Sequence, residues 1–251
     1  MTYPTLSSRG FVVPSRLKNS AYEAAGSTGS RTREWRPSGA GPSASVEQNA
    51  ALMRSRAHSA VRNDPWAKTA VSRTVSNLIG TGIQPHPQCS DLELRKVLKQ
   101  LWDDWAPYAD ADGVLDVYGQ QTLGGRSLVE AGEYLVQRKL CKPSVDLPVP
   151  IQFRLLEAEH LVEENQALPD GGELYRGIHF NADNQRVAYR LWNRHPGDYG
   201  RRTVAGMRHT DVPASEISHV FEPLRAGQAR GVTDLTAVLL RLHSLDNFDD
   251  A

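Results

Sequence analysis

The sequence is short of the residues on which most chemistry and membrane insertion rest. Cys89 and Cys141 are its only cysteines among 251 residues, too few for a disulfide framework or a cysteine zinc set. No apolar run approaches the ~20 residues that span a bilayer. The N-terminal MTYPTLSSRGF lacks the apolar centre of a secretory signal, so a protein folded in a reducing, intracellular setting is expected. Neither sign of charge is in excess: Lys+Arg and Asp+Glu stand at 29 each, which argues against a chain held to nucleic acid by bulk phosphate neutralisation. The phosphate-binding GxxxxGK[ST] and dinucleotide-binding GxGxxG turns are missing, as is HExxH. That removes the common NTPase, dehydrogenase and metallopeptidase readings.

What is present divides at about residue 42. Residues 1–42 are rich in Gly, Ser and Pro, and their charges run basic: Arg9, Arg16, Lys18, Arg31, Arg33 and Arg36 against Glu23 and Glu34. Few large apolar residues offset the entropy of ordering this stretch, so it reads as a flexible arm. An arm that orders on a partner, anchored by Phe11 and Trp35, is the functional alternative. From Ser43 or Ser45 onward helical signals begin, and residues 44–62 contain neither Gly nor Pro. Asp64-Pro65 predicts an N-cap and first helical position, with Ala67, Val71, Val75 and Leu78 as one apolar stripe ended by Gly80. Ser90-Asp-Leu-Glu93 has the form of a capping box ahead of Leu94, Val97, Leu98, Leu101, Trp102 and Trp105. A shorter helix is expected over 119–131.

The period then changes. Residues 133–140 and 151–156 read as strands. Residues 174–180 and 185–192 read as a hairpin around Asn181-Ala-Asp-Asn184, with Val187, Tyr189 and Leu191 alternating. A strand is expected over 218–222, and Thr233 caps a last helical stripe of Leu235, Val238, Leu239, Leu242 and Leu245. That stripe meets no stop signal, so the chain reads as cut short. The predicted fold is α+β: a flexible arm over 1–42, then an α+β domain over 43–251, incomplete at its C-terminus, with N-terminal helices packed on a mostly antiparallel sheet. The stripe Val71/Val75/Leu78 together with Leu94/Leu98/Leu101 is expected to form one core against the hairpin sheet.

Sites suggested by residue type do not assemble into chemistry. Asp110-Ala-Asp112-Gly113-Val-Leu-Asp116 places its glycine fourth where a calcium loop needs it sixth, so an acidic turn between helices is favoured. Glu157-Ala-Glu159-His160 with Glu163 and Glu164 lacks a helical histidine pair and reads as a solvated strand end rather than a metal set. Gly125-Arg-Ser127-Leu-Val129 fails the nucleophile-elbow pattern at its last position. Cys141 beside Lys142 would still need a base and an orienting group. Trp102 and Trp105, at i and i+3 beside aliphatics, read as core. No catalytic, metal or cofactor residue is therefore assigned. A hydrolase using Cys141 or Ser127 with a distant histidine remains one alternative. A generic DNA-binding or scaffold module working through the basic arm is another.

Ten short stretches, taken in order, resemble one family. They include Val61-Arg62-Asn63-Asp64-Pro65-Trp66-Ala67, Asn77-Leu78-Ile79-Gly80-Thr81-Gly82, and Leu101-Trp102-Asp103-Asp104-Trp105. Further along come Ala131-Gly132-Glu133-Tyr134, Leu155-Leu156-Glu157-Ala158-Glu159, Gly177-Ile178-His179-Phe180 and His195-Pro196-Gly197-Asp198. Ile217-Ser218-His219-Val220-Phe221 and Arg225-Ala-Gly-Gln228-Ala-Arg230-Gly231-Val232 close the series. Over 55–251 the chain is similar to the N-terminal, wing-like portion of the portal proteins of lambda-like tailed phages.

The resemblance implies a structural, non-enzymatic subunit of a homo-oligomeric ring, usually of twelve copies, at one vertex of the capsid in the virion. It implies contact with terminase, capsid and tail proteins, passage of double-stranded DNA without sequence reading, no cofactor and no membrane. A closed ring needs two different complementary faces on each subunit. Arg225, Gln228 and Arg230, with two guanidiniums flanking glycines ahead of a helix, are candidates for a subunit boundary or for proximity to DNA. A local turn held by arginine-to-carbonyl bonds is the alternative for the same residues.

Overall fold

The computed structural model describes residues 38–145, 147–198 and 206–249. The predicted arm lies outside them as far as residue 37, and a compact unit begins at Pro42. Local signals account for most helix ends. Residues 42–63 form α1 (Pro42–Glu47) and α2 (Ala50–Asn63) with a break between them. Asp64 then opens α3 (Pro65–Ile79): its carboxylate accepts the N–H groups of Trp66 (2.7 Å) and Ala67 (3.2 Å), which satisfies two orphan donors of the first turn. At α4 (Leu92–Trp105) the cap is Asp91 rather than Ser90, accepting from Glu93 and Leu94. Asp116 starts α5 (Val117–Ala131) two residues earlier than expected by accepting from Gly119 (2.7 Å). Thr233 caps only a single 3-10 turn over 234–237, after which α6 (Leu239–Asp249) follows.

The strands β1 (Glu133–Leu140), β2 (Ile151–Glu157), β3 (Asn165–Ala167), β4 (Glu173–Tyr175), β5 (Ile178–Phe180), β6 (Arg186–Trp192), β7 (His209–Pro213) and β8 (Ile217–Phe221) form two sheets. Their orders are β2-β1-β8 and β3-β4-β5-β6-β7, and every pairing of neighbouring strands is antiparallel. The molecule is α+β, as its two sequence periods imply. Two details depart from expectation. The first hairpin arm is itself folded, because Arg176 (φ 47°) and Gly177 (φ 83°) turn the chain between β4 and β5. Glycine suits the second position, where a Cβ would stand 2.9 Å from Leu161. Strand β7 gives little apolar signal in HTDVP. It is held on β6 by its ladder and by Arg190, whose Nε and Nη2 donate to Asp211 (2.8 and 3.0 Å).

Apolar burial is divided among three clusters. Leu135, Leu161, Ile178, Tyr189, Leu191 and Ile217 pack between the sheets. Ala57, Val61, Ala67, Val71, Val75 and Val129 join α2, α3 and α5, where small residues let helices approach closely. Trp105, Ala106, Ala109, Val117 and Leu147 form the third. The core reading of the tryptophans thus holds at Trp105, whose Nε1 donates to the Ile151 carbonyl (2.7 Å), while Trp102 is half-buried and donates to the Tyr118 hydroxyl (3.0 Å). The single core expected from α3 and α4 is corrected. Val71 and Val75 are buried, but Leu78, Leu94, Leu98 and Leu101 are exposed. Helical spacing establishes that α4 has an apolar face and says nothing of what covers it. The non-helical segment 80–91, fastened to α5 where the Gln121 side chain bonds the Ile83 backbone, separates α3 from α4, and within α4 only Trp102 and Trp105 are withdrawn from solvent.

Candidate functional site

The densest polar construction in the described molecule is built around Glu133, the first residue of β1. Glu133 takes the inward phase of a strand whose next inward residue is Leu135, so its carboxylate enters the interior and needs partners there. They come from segments far apart in sequence. Arg230 Nε donates to both carboxylate oxygens (2.9 and 3.0 Å), and its Nη2 lies 2.7 Å from Oε1. Arg54 Nη1 on α2 donates to Oε1 (3.2 Å), and the backbone N–H of Gly231 donates to Oε2 (2.8 Å). His219 on β8 completes the set with an Nε2 contact of 2.9 Å to Oε2.

Arg186 Nη1 reaches the other ring nitrogen of His219 at 2.9 Å. A guanidinium can only donate. His219 therefore accepts at Nδ1, carries its proton on Nε2 and is neutral. Burial holds its pKa below 6.5 against the opposing pull of Glu133. Burial alone would raise the Glu133 carboxyl, but the charge of Arg230 and the hydrogen bond from His219 outweigh it, leaving it far below the usual carboxylate range.

A second tier balances the remaining charges. Arg54 Nε donates to Glu159 (2.7 Å), and Arg176 Nη2 pairs with Glu163 (2.7 Å). Arg230 Nη1 donates to the Arg176 carbonyl (2.9 Å). Three guanidiniums thus face three carboxylates, Glu133, Glu159 and Glu163. The solvated strand end expected over 157–164 is accordingly corrected in part: Glu157 and Glu164 are exposed, while Glu159 is drawn inward by Arg54. The backbones also cross here. A Cβ on Gly132 would sit 2.2 Å from the Val232 carbonyl carbon, and one on Gly231 would sit 2.1 Å from the Gly132 carbonyl oxygen. Only paired glycines permit that approach.

The residues singled out in the sequence separate into two groups. Arg230 and Gln228 face inward, Gln228 accepting from the Leu224 N–H (3.0 Å) and donating to the Arg230 carbonyl (2.7 Å). Arg225 is exposed on the same loop. Elsewhere, Asp110 organises its own turn by accepting from Asp112, Val114, Leu115 and the Gln120 amide. The Cys141 thiol bonds the Gln152 side chain (3.2 Å), and Ser127 lies within α5.

Beside the centre is a cavity of about 390 Å³, lined in part by His58, Arg126, Glu130, Glu157, Glu159 and His195. Ligand atoms of Glu157, Glu159 and His195 lie within 4.8 Å of one another. However, His195 Nδ1 accepts the Gly197 N–H (3.0 Å), so the proton of the neutral ring sits on Nε2, the atom facing Glu157 at 3.1 Å. A nitrogen that carries its proton offers no lone pair to a metal, and Nε2 is a buried nitrogen that makes no hydrogen bond among the described residues. Arg126 and His58 both pair with Glu130, while Arg62, which also lines the cavity, is exposed.

The elements that meet at Glu133 carry the stretches whose order resembles the portals, and comparison with known proteins agrees. The family described as phage portal protein, lambda family, matches residues 28–251. The chain belongs to this family. It is similar to the probable portal protein of Halomonas phage phiHAP-1, 26% identical over 210 residues covering 79% of this chain and 40% of that protein. It is also similar to portal protein B of Escherichia phage lambda, 23% identical over 237 residues covering 88% of this chain and 44% of that protein. The chain therefore spans under half the length of these relatives. The portal family is structural and non-enzymatic, and a centre whose guanidiniums and carboxylates are matched internally accords with a portal subunit that must hold its shape.

Proposed function

We propose that this chain is a subunit of the head–tail connector ring at one capsid vertex, through which double-stranded DNA is packaged and ejected. In this reading copies assemble in the host cytoplasm, usually as a twelve-membered ring, dock terminase during packaging and the tail afterwards, and remain in the virion. The duplex is contacted without sequence reading, and no cofactor takes part. The observation that carries the proposal is the family match across residues 28–251. The Glu133 centre supports it physically, because it ties α2, β1, β8 and the 228–231 loop to one another.

The boundary role suggested for Arg225, Gln228 and Arg230 belongs to the same proposal. Gln228 and Arg230 fasten the loop from within, and Arg225 presents a guanidinium on its exposed side, suited to a neighbour's carboxylate or to phosphate. Electron microscopy of the purified chain tests the ring reading. Closed annuli of uniform diameter are expected, and their yield falls with Arg225→Glu. Particles that remain single subunits at every concentration would refute it.

A further inference from the structure

One titratable side chain of the Glu133 centre also holds a surface loop in place. The His219 imidazole, 2% exposed, stands between Glu133 on β1 and Arg186 at the start of β6. The charged groups that face it are Glu133, Arg186 and Arg230. The Tyr189 ring of β6 packs against it edge-on (5.7 Å), and Phe221 of its own strand lies at 4.7 Å. Arg186 reaches further. Its Nη2 donates to the Ala229 carbonyl (3.0 Å), and its guanidinium lies over the rings of Phe180 and Phe221 at 5.8 and 5.3 Å. The loop that ends at Ala229 is exposed from Glu222 to Gly227. Ser43 also holds it, with Oγ donating to the Gly227 carbonyl (2.9 Å) and accepting the Ala229 N–H (3.2 Å). Such neutral bonds are about half as strong as one from a guanidinium.

The arrangement requires a neutral imidazole. A proton on Nδ1 turns that nitrogen from acceptor into donor, setting two N–H groups and two positive charges 2.9 Å apart. Glu133 and Arg230 cannot yield, since both are buried and each is held by several further bonds. Arg186 is half-buried, and its long side chain can turn to water. We infer that His219 is an acid-sensitive latch whose protonation expels Arg186, frees the Ala229 carbonyl and loosens the 224–230 loop. Burial keeps the imidazole neutral at pH 7, its pKa lying below 6.5. The latch is therefore shut at neutral pH and opens on the acidic side of 6.5. The device belongs to a single subunit and does not depend on ring assembly.

Amide hydrogen exchange of the 251-residue chain between pH 7.5 and 4.5, corrected for the intrinsic pH dependence of exchange, tests this beside an NMR titration of the His219 imidazole. Protection of amides 224–230 should fall by roughly tenfold or more as His219 takes its proton, with the protection of α3 unchanged. His219→Gln keeps an acceptor for Arg186 and a donor for Glu133 but does not titrate, so its loop should stay protected at pH 4.5. Arg186→Gln removes the opposing cation. There His219 should titrate at a higher pH than in wild type, and the loop should be equally open across the range. The two variants act on opposite partners of the latch, so either one decides the matter if the other does not fold. Constant loop protection in wild type overturns the inference. So does a fall in His219→Gln equal to that in wild type, a His219 titration unmoved by Arg186→Gln, or loss of α3 protection together with the loop.

Discussion

At the scale of single residues, Glu133 gathers two guanidiniums, an imidazole and a backbone N–H around one carboxylate. Removing one member of a buried ion pair strands the others in low dielectric, which costs about 3–5 kcal/mol. Glu133→Gln should therefore lower unfolding stability by that amount in urea titrations, and a loss under about 1 kcal/mol would refute the burial argument. The pH dependence follows from the directions of the shifts. Glu133 and Glu159 titrate below 4.5 when folded, so their stabilisation is complete above 4.5 and is lost as pH falls through their folded values. His219 is lowered from 6.5, so its share is present above 6.5 and also declines on acidification. His58 behaves oppositely: its hydrogen bond to Glu130 raises it, so its contribution is full below 6.5 and fades as pH rises through the folded value. Melting temperatures of wild type and Glu130→Gln should thus differ most on the acidic side of 6.5 and converge on the alkaline side; a constant gap rejects the assignment.

Among the elements, α3 and α4 look alike in sequence and differ in place. Both have capped starts and apolar stripes, yet only α3 buries most of its stripe, at Ala67, Val71 and Val75. Val71→Ala should cost about 2 kcal/mol through a cavity between helices. Leu98→Asp should change monomer stability by no more than about 0.5 kcal/mol in the same denaturation experiment. Caps and periodicity made α3, α5, β1 and β2 legible to within two residues, because those signals are local. Strand β7 was not legible, since its place depends on the β6 ladder and on Arg190 rather than on its own apolar content. The partners of Glu133 were equally hidden, although one sign was available: a carboxylate on the inward phase of a strand, directly after Gly132, demands buried cations. Arg230 stood out in the sequence for its flanking glycine, and the structure gives that glycine a physical reason in the crossing with Gly132.

For the molecule as a whole, the balance of 29 cationic and 29 anionic side chains leaves little net attraction for a duplex. Filter-binding should give only the ~10⁻⁴–10⁻⁶ M affinity of non-specific contact, with no preference among sequences; a tight, sequence-dependent complex would refute a passive channel role. The link between Glu133 and Arg230 joins residues 97 positions apart. A ribosome adding 5–20 residues per second needs about 5–20 s to travel that distance. Over that interval α2, α3 and α5 have all been synthesised, and of the charged partners of Glu133 only Arg54 is present. The carboxylate therefore has its full set of ligands only once His219, Arg230 and Gly231 have been added, near the end of the sequence.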